Sequence, residues 1–178
     1  MRTRMKATLT ILAASTLAGL VGAAPSGAAR RAGPPWISIE YPANPLDPST
    51  RGAYLLVHAF HHQIPTQSIV TGTAEGLIRG ERKTVALRFD NTSRPGVYAL
   101  QKQWSDEGVW SLLISVNQHD SNPAQALVEI ADDGSISSVR VPTRRDREWT
   151  IPRGVTSQEI EQSLQTRASR SSQLSRVR

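Results

Sequence analysis

Apolar and polar residues alternate along most of this chain with a period of two, in short runs separated by turn residues. From Val109 to Asn117, Trp110, Leu112, Ile114 and Val116 fall on one side, while Ser111, Ser115 and Asn117 fall on the other with Val109 and Leu113. Successive side chains of a strand point to opposite faces, so this run predicts a strand with the Trp110 side toward a core. Trp36 to Tyr41 repeats the pattern, with Ile37, Ile39 and Tyr41 on one face. Ala53 to His61 is apolar on both faces, as Leu55, Val57 and Ala59 alternate with Tyr54, Leu56 and Phe60. That pattern belongs to a central strand with cover on each side.

Between these runs the chain carries turn chemistry. Pro42, Asn44, Pro45, Asp47 and Pro48 end the first run, because proline removes an amide donor and fixes φ. After a looser segment through Ile64, Pro65 and Gly72, Thr73–Ile78 and Lys83–Phe89 predict a hairpin joined by Arg79-Gly80-Glu81-Arg82, the glycine free to take the left-handed position. Pro95-Gly96 predicts a turn, Val97 to Trp104 a strand, and Ser105 to Gly108 a reversal into Val109–Asn117. His119 to Pro123 reads as a loop. Ala126–Ala131 and Ser135–Val141 flank Asp132-Asp133-Gly134, another hairpin signal. Many short strands at this spacing predict a single all-β sandwich over residues 36–141.

The two ends differ from this pattern. Arg2, Arg4 and Lys6 precede an uncharged stretch from Ala7 to Ala24, and small residues follow to Ala29. This order predicts a secretory signal peptide over 1–29, with cleavage after Ala23 or after Ala29. Thr8, Thr10, Ser15, Thr16, Gly19 and Gly22 dilute the run below what a spanning helix of about 20 apolar residues needs; the alternative is an uncleaved N-terminal anchor. The protein is therefore expected to be extracytoplasmic, periplasmic or secreted, without stable membrane insertion after cleavage. Residues 30–35 read as a linker. Beyond Pro142, Thr156-Ser157-Gln158-Glu159 matches a capping box, so residues 142–166 are expected to hold a short helix from about Ser157 to Gln165. Trp149 is expected to pin this extension to the domain. Residues 167–178 are Ser, Arg and Gln with little to bury, and predict a disordered basic tail.

Composition removes several chemistries. There is no cysteine, and both methionines, Met1 and Met5, lie in the export segment. Disulfides and thiolate or thioether metal ligands are thus excluded from the processed chain. The net charge of +6 is unevenly placed: residues 24–139 carry 9 basic and 11 acidic groups, residues 140–178 carry 9 arginines and 4 acidic groups. The sandwich itself is slightly acidic, so it offers no basic face for nucleic acid. Arginine outnumbers lysine by 18 to 3, a usage associated with GC-rich bacterial genomes.

The block Gly96-Val97-Tyr98 through Trp104 to Gly108-Val109-Trp110-Ser111-Leu112 resembles the Gly-x-Tyr and Gly-x-Trp pairing of immunoglobulin-like sandwiches in bacterial envelope proteins, with the YtkA-like and FixH-like families nearest. The resemblance covers about Trp36 to Val116. It implies an immunoglobulin-like antiparallel β-sandwich and puts Tyr98 where a tyrosine corner would sit. Members of that group are often linked to metal handling in the envelope. This chain departs from them in having no methionine after the export segment.

The candidate chemistry is sparse. In Val57-His58-Ala59-Phe60-His61-His62, a regular strand would hold His58 and His62 about 13 Å apart, at about 3.3 Å per residue, and would send His61 and His62 to opposite faces. Metal–nitrogen bonds of about 2 Å forbid a shared ion in that geometry. His61, His62 and His119 become metal candidates only if the strand ends near Phe60 and a ring turns toward another ligand. Gly134-Ser135 lacks the Gly-x-Ser-x-Gly frame of a nucleophile elbow, and no His-Glu-x-x-His is present. Asp106-Glu107 and Asp132-Asp133 sit in predicted turns, where acids usually bond their own backbone. Gly72 to Gly80 holds three glycines but lacks the Gly-Lys-Ser/Thr ending of a phosphate loop. No catalytic residue and no cofactor is expected. The reading is an exported protein that binds rather than catalyses, with a protein or envelope polymer as partner; the rival reading is an extracytoplasmic metal-handling protein using histidines.

Overall fold

The computed structural model describes residues 33–118 and 122–177; the expected export segment lies outside them. The chain forms strands β1 (Trp36–Glu40), β2 (Leu55–His61), β3 (Ile64–Pro65), β4 (Ile69–Ile78), β5 (Glu81–Ala86), β6 (Asp90–Asn91), β7 (Val97–Leu100), β8 (Val109–Asn117), β9 (Ala124–Ile130), β10 (Ile136–Arg140), β11 (Thr143–Asp146) and β12 (Trp149–Pro152), then helix α1 (Ser157–Val177). All pairings are antiparallel. One sheet runs β1-β2-β7-β6, with β3 also on β2; the other runs β10-β9-β8-β4-β5. Opposed in this order, they reproduce the ABED and C′CFG sheets of the immunoglobulin arrangement, with β10 added beyond G.

The core lies between the sheets. Ile37, Leu55, Val57, Ala59, Tyr98 and Leu100 from the first sheet meet Trp110, Leu112, Ile114, Val116, Ala126 and Val128 from the second in one buried cluster. The face expected for β8 is therefore the core face. β2 is a central strand as its double-sided apolar pattern requires, with Leu55, Leu56, Val57 and Ala59 all fully buried. Its outer face is covered at Leu56 by Val97, Ala99 and the returning loop residues Ala43 and Ala53.

The glycines of β4 serve packing. A Cβ on Gly76 would lie 2.6 Å from Cζ3 of Trp110, and one on Gly72 would lie 2.7 Å from the carbonyl oxygen of Leu113. Gly76 pairs with Trp110 across β4 and β8, so the indole occupies the space a side chain would fill. The β4–β5 turn is tighter than expected. It uses only Arg79 (φ 52°) and Gly80 (φ 84°), the double positive φ of a two-residue hairpin turn.

Three expectations change. Val97–Trp104 and Val109–Asn117 do not pair with each other: β7 belongs to the first sheet and β8 to the second. Gln101 to Gly108 carries the chain across the sandwich, and the crossing is anchored by Trp104, which is buried and edge-on to Tyr54 at 5.0 Å. Tyr98 therefore lies on the strand equivalent to E rather than F, and is no tyrosine corner. Its hydroxyl donates to the carbonyl of Ser68 and accepts from the Ser68 amide, both at 2.7 Å, tying β7 to the approach to β4.

The third change concerns the C-terminal part. The capping box forms as read: the Glu159 amide donates to Thr156 Oγ1 at 3.2 Å, and the Thr156 amide donates to Glu159 Oε2 at 2.9 Å. The helix does not stop near Gln165, however, and residues 167–177 are helical rather than a disordered tail. Ile160 and Leu164 bury against Val109 and Leu127 on the outer face of the second sheet. Further along the same face, Arg167 donates to the carbonyls of Trp110 (2.9 Å) and Ile130 (2.7 Å) and to Ser111 Oγ (2.5 Å). Ser111 and Ser163, both buried, bond each other at 2.9 Å. Burial pulls the Arg167 pKa down, while the nearby charges of Glu129 and Asp132 pull it back up. Polar pairing thus continues the docking where the apolar residues end.

Candidate functional site

The histidines separate into two settings. His58 stands on the outer face of β2, where its Nε2 meets Glu40 Oε2 at 2.7 Å. Arg94 lies 3.8 Å from both Glu40 and Asp47. Two hydrogen bonds from Ser49 lower the Asp47 pKa. This cluster holds the loop after β1 against the first sheet.

His61 and His62 are arranged differently from a regular strand. β2 ends at His61, and His62 (φ 50°) and Gln63 (φ 65°) form a two-residue turn into β3, both in left-handed backbone without a glycine. That conformation is uncommon outside glycine, with asparagine, aspartate and histidine its more frequent exceptions. The turn swings the His62 ring back to the His61 side, so the centroids lie 4.2 Å apart at an interplanar angle of 70°. The expectation that these rings point to opposite faces is thus corrected. His61 Nε2 lies 3.1 Å from the carbonyl oxygen of Gly33, and His62 Nε2 lies 3.9 Å from where a Gly33 Cβ would stand. His119 lies outside the described residues. Among the described residues no group of three or more His, Cys, Asp or Glu side chains is placed to hold a metal ion.

The turn acids gather more closely than the sequence suggested. Asp106, Asp132 and Asp133 line one cleft of about 250 Å³ with Lys102, Trp104 and Trp110. Each is engaged: Asp106 with Lys102, Asp132 with the Ser171 hydroxyl at 2.9 Å, and Asp133 with the amide and hydroxyl of Ser135 at 2.9 and 2.6 Å. The Ser135 bonds lower the Asp133 pKa. Tyr54 closes the same end by donating to the Gly134 carbonyl at 2.7 Å; burial raises its pKa.

The element that sequence reasoning missed is the β11–β12 hairpin. It forms a sheet of its own, and every residue of β11 is exposed. Trp149, expected to pin the extension, is instead 72% exposed. The register pairs Asp146 with Trp149 and Arg144 with Ile151, so these four share one face, while Arg145 shares the other with Thr150. Arg147 makes the turn at φ 55°. Arg79, Arg82, Arg140 and Arg153 elsewhere on the surface each meet a carboxylate; Arg144, Arg145 and Arg147 make no ion pair among the described residues. The only signal in the sequence was the crowding of arginines beside a tryptophan. Two isolated strands are marginally stable in water, which makes an arm of this composition a candidate contact surface.

No family model, curated protein or solved structure matches this chain. Among the described residues no helix is long and apolar enough to cross a membrane.

Proposed function

We propose that the chain is an exported, non-catalytic binding or accessory protein of the bacterial envelope, and that the β11–β12 hairpin meets its partner. The observation that carries this reading is the exposure of Trp149 on a hairpin that stands outside both sandwich sheets and carries three arginines that meet no carboxylate among the described residues. An exposed indole provides a large, rigid contact area, and Trp and Arg dominate contact energies where proteins meet. The arginines call for anionic groups on the partner, which an acidic protein surface or an anionic envelope polymer supplies. Export rests on the basic, apolar and small-residue order of residues 1–29.

A photo-crosslinking residue placed at position 149 in cells tests the surface, with position 139 on β10 as the exposed control. Adducts at 149 and not at 139 are the expected result; equal yields at both positions overturn the hairpin as the contact. Mass spectrometry of extracytoplasmic protein tests export. An N-terminus between Ala24 and Arg30 is expected, and an intact Met1 there overturns cleavage.

A further inference from the structure

We propose that the His61-His62 turn and the Gly33 carbonyl form a binding site for one late first-row divalent metal ion, with copper(II) the best-fitting member. The inference is independent of the hairpin and rests on three distances. His61 Nε2 and the Gly33 oxygen are 3.1 Å apart. Metal bonds of about 2.0–2.1 Å to nitrogen and oxygen place two cis ligands about 2.9–3.1 Å apart near a right angle. The gap now spanned by a hydrogen bond is therefore the gap that a metal would span.

The ring pair fits the same point. An imidazole centroid lies about 3.1 Å from a metal bound to its ring nitrogen, so two cis rings have centroids about 4.5 Å apart; the observed separation is 4.2 Å. The His62 ring also lies against Gly33, its Cε1 3.6 Å and its Nε2 3.9 Å from where a Gly33 Cβ would stand. Two imidazole nitrogens and a backbone oxygen in a cis arrangement suit tetragonal coordination completed by water. This geometry and donor set favour copper(II) or nickel(II), and copper(II) binds most tightly in the divalent series. The turn holds the rings on one side through two consecutive residues in left-handed conformation, the double positive φ of a two-residue hairpin turn.

Binding requires a proton to move. The Nε2 that donates to the Gly33 carbonyl must give up its hydrogen to ligate, so His61 changes tautomer and carries its proton on Nδ1.

The experiment uses untagged full-length protein with copper(II), nickel(II) and zinc(II), followed by melting scans and, for copper, electron paramagnetic resonance. At pH 7.5 we expect one copper(II) per chain, a nitrogen-coordinated tetragonal signal, and a melting temperature raised by about 5 °C or more at saturation. H61A and H62A should each lose both effects, whereas H58A should keep them. A wild-type protein whose melting ignores all three metals overturns the site. So does a copper signal retained in both H61A and H62A, or one lost in H58A alone.

Discussion

Arg167 offers the sharpest test of how the helix is held. Its guanidinium donates to the Trp110 and Ile130 carbonyls, to Ser111 and Ser163 hydroxyls, and to the Ser163 carbonyl. In Arg167→Ala, Ser111 and Ser163 keep their bond to each other, but the two strand carbonyls lose their charged donor. Each buried acceptor left without a partner costs about 1–3 kcal/mol. The variant regains part of this by no longer desolvating a guanidinium, which leaves a net loss of about 2–4 kcal/mol. A domain of this size melts about 2–4 °C lower per kcal/mol, so the expected fall is about 4–16 °C. Urea unfolding read through tryptophan fluorescence measures the loss directly. Arg167→Met separates packing from hydrogen bonding: it keeps the stem and removes every donor, and should lose nearly as much as alanine. A chain ending at Gln165 should lose at least as much again, since it removes Arg167 and the last helical turns. If Arg167→Ala unfolds within about 0.5 kcal/mol of the parent, or methionine restores full stability, the polar docking argument is wrong.

Gly76→Ala should destabilise by about 1–3 kcal/mol in urea, because its methyl would press on the Trp110 ring; a neutral result would show that the indole can move aside. Tyr98→Phe should cost about 1–2 kcal/mol by removing both bonds to Ser68, and parental melting would mean that the hydroxyl holds nothing. The Glu159 pKa is lowered from 4.5 to about 2, chiefly by the Arg153 guanidinium and then by the Thr156 amide. Its folded-state pKa lies below its unfolded one, so its contribution is complete above about pH 5 and is lost as pH falls through about 4.5 toward 2. Glu159→Gln should lower stability at pH 7 and flatten the acid limb of the melting curve; parallel curves for the two proteins would contradict the assignment.

Much of the fold was legible because single residues carried a clear periodic or turn signal. Trp110, Leu112, Ile114 and Val116 declare a core face by alternation, Asp133-Gly134 a hairpin, and Thr156 with Glu159 a helix start. What was not legible depended on partners distant in sequence. Turn residues at Ser105–Gly108 show that the chain changes direction, but not that β7 pairs with β2 while β8 pairs with β4. The helix end was misplaced because apolar spacing stops at Leu164, and Arg167, Ser111 and Ser163 read as surface residues until the fold joins them. The β11–β12 hairpin escaped notice because its alternation involves arginine, aspartate and threonine. In the candidate metal site the turn itself was the hidden element: neither His62 nor Gln63 announces left-handed backbone, so the two rings appeared to diverge.

The placement of α1 bears on the order in which this molecule matures. Val109 on β8 and Leu127 on β9 belong to one outer-face cluster with Ile160 and Leu164, against which Val155 and Ala168 also pack, and these covering residues follow Leu127 in the chain by more than twenty-five residues. During synthesis, a chain that has reached β10 contains both sheets but still presents that greasy patch and the unanswered carbonyls of Trp110 and Ile130. Exposed apolar surface of this kind makes partly made proteins prone to aggregate. A ribosome that stalls near β12, or a protease that clips the helix, would leave a fragment with an intact sandwich and a sticky outer wall. For such a protein, completeness of the C-terminus is a condition of remaining dispersed as well as of being stable.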